Sequence, residues 1–299
     1  MANLSHKSGK LFLLLGTAML LLASCTESVA PVYEGSPISI IEGSHLDDLE
    51  HEFLRHNYDL SRLQQGVPPM IVEQLPGEFP ALRPLRRRKS LFFQTLLPMV
   101  LLANREIAHE RDLLNKLAEQ TENGLPLDAY QLHQLRTLQA RYAVKGPPTA
   151  ESTLAKLKTR IDQVPPELVL AQAANESAWG TSRFSRQGNN LFGEWTFTPG
   201  TGIIPEERPD GATYEVRRFN TLYDSIRSYL RNLNTHAAYK PFRELRASLR
   251  REGQPLSGVK LAEGLIKYST RREEYVSDLQ KLIQQNNLQR FAAVNLRQS

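Results

Sequence analysis

Apolar positions recur at helical spacing along most of the chain. The longest such pattern starts with the apolar run Leu91 to Ala103, interrupted by Pro98. It continues through Ile107, Leu113, Leu114 and Leu117 until Asn123-Gly124 stops it. That run holds Gln94, Thr95 and Pro98 and is too short to cross a bilayer, so it reads as a buried core helix. A second helix is expected from Asp128, which is placed to cap it, to about Ala143, with Leu132, Leu135 and Leu138 on one stripe. After Gly146-Pro147-Pro148 comes a short helix over Glu151 to Ile161. Another opens at Val164-Pro165-Pro166, because proline suits a first turn whose N–H groups lack partners anyway. Leu168, Leu170, Ala171, Ala174 and Ala178 mark this helix as tightly packed and buried up to Gly180. Two later patterns, Leu222-Ile226-Tyr229-Leu230-Leu233 and Val276-Leu279-Leu282 within Glu274 to about Asn287, predict further core helices.

The ends of the chain look different. Lys7 and Lys10 precede Leu11 to Ala23, an apolar run that as a helix would span about 20 Å, short of the roughly 30 Å hydrocarbon core. This is the pattern of a signal segment. Leu22-Ala23-Ser24-Cys25 resembles the lipobox of bacterial lipoproteins, which implies cleavage before Cys25 and its lipidation. Thr26 stands where an inner-membrane retention signal would place Asp, so the resemblance implies an outer-membrane lipoprotein facing the periplasm. Beyond it the chain mixes Pro, Gly, Ser and charge with weak periodicity, which reads as a tether carrying one short helix around His45 to Tyr58.

Composition narrows the chemistry. The 299 residues are 40% hydrophobic and 23% charged, enough for a sizeable core, and a single Cys excludes an internal disulfide framework or a CxxC site. A formal charge of +5 leans towards an anionic partner. The basic run Arg83 to Lys89 reads as a solvated face, and no zinc-finger, RNP or helix-turn-helix pattern points to nucleic acid. HEFLRH (His51, Glu52, His56) looks like a zinc-protease motif. Its second His is five residues on, however, and the imidazoles would lie about 140° apart on a helix, so no metal site is expected. With no Walker or GxGxxG sequence, no cofactor is implied.

The candidate chemistry lies in PPELVLAQAANESAWGTSRF. Glu176 sits near the end of a helix that is otherwise apolar, an expensive place for a carboxylate unless it is paired or used. It reads either as a general acid, with Trp179 desolvating it, or as an ion-pair partner of Arg183 or Arg186.

The run Ala171 to Ser182 followed by Asn190-Leu191-Phe192-Gly193 resembles the bacterial N-acetylglucosaminidase superfamily of autolysins and flagellar peptidoglycan hydrolases. GEWTF after NLFG, YEVRRF and LYDSIRSYLRNLNTHAAYKPFR resemble its Bax-type branch. The resemblance implies a mostly α (α+β), lysozyme-like helical domain with a small β-hairpin lobe. It also implies cleavage of the β-1,4 bond between N-acetylglucosamine and N-acetylmuramic acid in peptidoglycan glycan strands. Glu176 would be the general acid. The turn Asp210-Gly211 favours Glu207 over Glu206 as the second carboxylate, against a loop carboxylate paired with Arg208 or Arg217. Asn190, Trp195, Tyr239 and Tyr268 are expected along the sugar groove, and Phe192 in the core.

The expected organisation is therefore a signal peptide over 1–24, a tether with a short helix over 25–80, a helical extension over 81–145 packed on the catalytic domain, and that domain over 146–299. Two other function classes stay open: a lytic transglycosylase, disfavoured because NLFG stands where a GLMQ-like segment would be, and a catalytically silent wall-binding lipoprotein. Oligomeric state leaves no trace in the sequence.

Overall fold

A helix that is apolar on every side must be enclosed, and the fold is built around this requirement. The computed structural model describes residues 37–297. The signal segment and Cys25 lie outside the described residues. In chain order the elements are β1 (Ser39–Ile41), α1 (Leu46–Arg55), β2 (Met70–Val72), α2 (Leu85–Glu122), α3 (Ala129–Arg141), α4 (Glu151–Arg160), α5 (Pro166–Glu176) and α6 (Arg183–Gly188). There follow β3 (Trp195–Thr196), β4 (Gly202–Ile203), β5 (Glu215–Arg217), α7 (Leu222–Thr235), α8 (Lys240–Arg251), α9 (Gly258–Leu261) and α10 (Glu273–Gln285). The fold is mostly helical with two small sheets, in line with the expected class. The β-lobe is three-stranded, in the order β3-β5-β4 with both pairings antiparallel, where a hairpin was expected.

Local signals place the helices. Asp128 caps α3 through a capping box with Gln131, and Thr221 caps α7 in the same way with Asp224. Pro166 opens α5. α2 runs for 38 residues through Pro98, which is buried with most of its neighbours, and no described helix is long and apolar enough to cross a membrane.

α5 is buried along its length and packs against α2, α9, α10 and the turn Leu288–Phe291. α2 also packs on β2, α3, α4 and α7, so no seam separates 81–145 from the domain that follows. The expected tether needs correction from residue 37 onwards. Leu49, Phe53, Val67, Met70 and Phe79 join the same core cluster, and β1 pairs in parallel with β2. The far end of the chain clasps this segment. Val67 bridges to Leu296, and the Arg297 guanidinium donates to the carbonyls of His56, Asn57 and Gly66. Short strands and irregular backbone hid this packing from periodicity. His56, half of the apparent metal motif, bonds Ser39 Oγ at 3.0 Å and so ties α1 to β1.

The basic run is also used structurally. Arg83 and Arg88 donate to the Pro80 carbonyl, Arg87 pairs with Glu50 at 2.7 Å, and the Lys89 ammonium lies 4.1 Å from the centre of the Trp179 ring. A further buried cation, Arg246, donates to the carbonyls of Thr159, Arg160, Asp162 and Gln163 and so closes the end of α4.

Gly180 is where the N-terminal segment meets the turn after α5. Its φ is +77°, and a Cβ there would lie 2.5 Å from Leu75 Cδ1 and 3.3 Å from both the Phe79 and Phe92 rings. Gly180→Ala is expected to destabilise the protein by roughly 2–4 kcal/mol, through the left-handed backbone and overpacking together. Gly200→Ala has a similar φ of +79° with no neighbour within 4 Å and should cost only the backbone part, about 1 kcal/mol. Urea midpoints of the two variants and the parent check this difference.

Candidate active site

Glu176 ends α5. The helix stops four residues before Gly180 because the Ser177 hydroxyl donates to the Ala173 carbonyl at 2.6 Å and accepts from the Gly180 N–H at 2.8 Å. Ala178 and Trp179 then take left-handed backbone conformations, with φ of 49° and 60°. This turn sends Trp179 away from the helix face it was expected to share with Glu176. Its ring packs edge-on against Phe92 and Phe93 of α2.

Glu176 is half-buried, and neither Arg183 nor Arg186 pairs with it: Arg183 contacts Glu206 and the Ile204 carbonyl instead. Its Oε1 accepts from Asn175 Nδ2 at 3.0 Å and from the Tyr275 hydroxyl at 2.8 Å. No hydrogen bond among the described residues reaches Oε2.

An aromatic wall rises beside the carboxylate. Tyr275 stacks on Tyr268, with ring centres 5.4 Å apart and planes 5° from parallel, and Tyr268 meets Tyr239 at 5.8 Å. The Tyr268 hydroxyl donates to the Phe192 carbonyl at 3.0 Å, and Phe192 is buried and stacked on Tyr229 at 3.9 Å. Tyr239 is nearly buried, and burial first, then the charges of Glu194 and Glu176, push its phenol up to about 12. Glu176, Tyr239 and Tyr268 are thus linked through Tyr275.

Asn190 does not line the groove. It is 1% exposed, and its amide is spent on backbone. Nδ2 donates to the carbonyls of Glu194 and Arg217, both at 2.9 Å, while Oδ1 accepts from the N–H groups of Phe192 and Glu194. A buried amide has to satisfy these positions. Asn190 therefore shapes the NLFG turn and docks it on β5, a structural role that replaces the expected contact with substrate.

Trp195 does present a face: it is 57% exposed, and its other side stacks on Tyr214 at 4.5 Å. Glu207 is exposed in the segment between β4 and β5, and no described contact joins it to Glu176; Glu206 faces Arg183 at 3.4 Å.

Sequence reasoning missed Glu194, directly after the NLFG turn. Its Oε2 accepts from Ser228 Oγ of α7 at 2.9 Å, and its Oε1 is buried without a partner. Burial raises its pKa to about 7, against the lowering effects of the Ser228 bond, Arg217 and Arg231. Both Glu194 and Glu176 act on Tyr229 and Tyr239, so the two carboxylates flank one group of phenols. The available signal was strand phase: where Trp195 and Phe197 point outward, Glu194 points in. Tyr275 was missed because α10 buries Tyr275, Leu279 and Ile283, a stripe one residue out of phase with Val276 and Leu282. Among the described residues no group of three or more His, Cys, Asp or Glu could hold a metal ion.

Comparison with known proteins places this arrangement. The profile of the glucosaminidase family, described as mannosyl-glycoprotein endo-beta-N-acetylglucosaminidase, matches residues 152–288. The protein Bax of Escherichia coli (strain K12) is 32% identical over 210 residues, covering 70% of this chain and 73% of that protein. The catalytic domain of the autolysin Auto from Listeria monocytogenes aligns at 19% identity over 61% of this chain and 86% of that one, with a TM-score of 0.33. The chain belongs to the glucosaminidase superfamily, in its Bax-type branch.

The raised pKa of Glu194 links stability to pH. The folded state holds this proton up to about pH 7 and the unfolded chain releases it near 4.5, so folding binds protons in that window. The stability that this group contributes is present below about pH 4.5 and is lost as pH rises through about 7. Glu194→Gln should remove the dependence. Between pH 5 and pH 8 the wild type is expected to lose on the order of 2 kcal/mol relative to the variant, read from denaturant midpoints of both at each pH.

Proposed function

We propose that the chain is a peptidoglycan hydrolase that cleaves the β-1,4 bond between N-acetylglucosamine and N-acetylmuramic acid, with Glu176 as general acid. The observation that carries this reading is the state of that carboxylate: one oxygen is held by two donors at the end of a buried helix, the other is uncommitted, and a wall of tyrosines stands alongside. Membership of a glucosaminidase family supports the same chemistry.

In this mechanism Glu176 gives its proton to the bridging oxygen as the bond to C1 of N-acetylglucosamine breaks. Water supplies the hydroxyl that ends on C1, and its other proton passes to a carboxylate so that Glu176 is protonated again for the next turnover. The second carboxylate is assigned to Glu207, on the β-lobe, as the group that activates the water or supports the positive charge of the ring. Trp195 offers an exposed flat face for the C–H side of a pyranose, and Tyr239 and Tyr268 stand in the aromatic wall that reaches Glu176 through Tyr275. No cofactor takes part in these steps. Stem-peptide carboxylates of the polymer suit a chain with a net positive charge.

The full-length protein in detergent should release fragments with reducing-end N-acetylglucosamine from purified peptidoglycan, identified by mass spectrometry. Glu176→Gln is expected to lower the rate by about 10²–10⁴-fold. Glu207→Gln should cost about tenfold or more, and Glu206→Gln should cost little. Anhydro-muramyl products would mean transglycosylation, and an absence of products would mean a binding role.

The same proposal places the enzyme in the envelope, anchored through lipidated Cys25 to the outer membrane and facing the periplasm. Cys25→Ser should move the protein from the membrane fraction to the soluble one on cell fractionation. Retention in the membrane would count against the anchor.

A further inference from the structure

α5 carries one polar side chain that its burial does not explain. Gln172 is 0% exposed among Leu168, Val169, Leu170, Ala171, Ala173 and Ala174, one helical turn before Glu176 and on the same face. Its amide is engaged on both sides. Gln172 Nε2 donates to the Tyr275 hydroxyl at 3.1 Å, and Gln172 Oε1 accepts from the Tyr229 hydroxyl.

Proton counting gives this chain a direction. A phenol has one proton to donate, and the proton of Tyr275 goes to Glu176 Oε1 at 2.8 Å. The oxygen of Tyr275 can therefore only accept from Gln172, which must turn its N–H towards it. The amide oxygen is then left facing Tyr229, whose own proton has to fill it. Each bond dictates the sense of the next, from buried Tyr229 through Gln172 and Tyr275 to the carboxylate. Burial also keeps both phenols protonated, as the chain requires. Because Oε1 already accepts from Tyr275 and Asn175, a protonated Glu176 carries its proton on Oε2, the oxygen that no described residue binds.

We propose that Gln172 and Tyr229 are positioning residues for the reaction: they lock Tyr275 as a donor to Glu176 Oε1 and thereby keep the acid proton on Oε2, facing the leaving group. Neither touches the sugar. The proposal rests on the hydrolase reading above and adds to it a reason why a buried amide and a buried phenol matter to rate. Without Gln172, the Tyr275 hydroxyl loses the donor that orients it and can turn from the carboxylate. The proton of Glu176 is then shared between two oxygens, one of which points away from the substrate.

A defect in delivering a proton is distinguished from general damage by the leaving group. A peptidoglycan oligosaccharide cut between N-acetylglucosamine and N-acetylmuramic acid expels a sugar alcohol and needs protonation; the 2,4-dinitrophenyl glycoside of N-acetylglucosamine expels a stable phenolate and does not. Full-length Gln172→Met keeps the volume, and Tyr229→Phe keeps the ring stacked on Phe192 should the first variant fold poorly. Each is expected to lower kcat on the oligosaccharide by about tenfold with KM within about twofold, and to leave the dinitrophenyl glycoside within about twofold of wild type. Equal losses on both substrates, or no loss on the oligosaccharide, would overturn the positioning role and leave the hydrolase reading standing. A wild type that cleaves neither substrate would overturn that reading itself. Thermal unfolding of each variant confirms that it is folded at the assay temperature.

Discussion

The structure turns on the burial of α5 on every side with a carboxylate at its end. Leu168, Val169, Leu170, Ala171, Ala173 and Ala174 leave this helix no solvent face, so neighbours must close around it. α2, α9, α10 and the turn at Leu288–Phe291 do so, and α2 is in turn held by α7, α4 and the segment that carries β2. The long helix before the glucosaminidase match is thus part of the enclosure. Gly180 shows how tight the closure is, since the side chains of Leu75, Phe79 and Phe92 occupy the place where its Cβ would be.

Enclosure raises the stakes for every polar group inside it. A buried donor or acceptor without a partner costs about 1–3 kcal/mol, and the site is organised by how its polar groups meet that demand. Ser177 serves both the end of α5 and the turn after it, Asn190 spends its whole amide on the NLFG turn, and Gln172 joins two phenols to the helix that bears Glu176. Glu194 differs from these three. With Oε1 unpartnered in a buried place, it meets the demand by favouring the protonated form at pH values where a free glutamate is charged.

The division between what is rigid and what is presented follows from the same packing. Glu176 and Tyr275 belong to helices of the core and Tyr268 to the turn before α10, whereas Trp195 and Glu207 belong to the small β-lobe, which is short-stranded and exposes Trp195, Phe197 and Ile204. Asn190 and Glu194 sit where these two parts join, bonded to β5 and α7 respectively.

The sequence by itself determined where the main helices lie and which carboxylate to suspect, because these depend on near neighbours. Helical spacing, proline at Pro166, the capping residue Asp128 and the run around Glu176 are all read within a few residues. It found the short helix α1 but took the chain around it, over residues 37–80, for a tether, because the strands there are too short to show a period, and it put Asn190 at the substrate because an exposed and a buried amide look alike in one dimension. Only the tertiary structure decided that Gln172 and Tyr275, 103 residues apart, would meet beside Glu176, and that the Glu194 carboxyl would lie against Ser228. The physical reason is that burial and hydrogen-bond direction are set by partners from distant parts of the chain, and such pairings leave no periodic trace in the order of the residues.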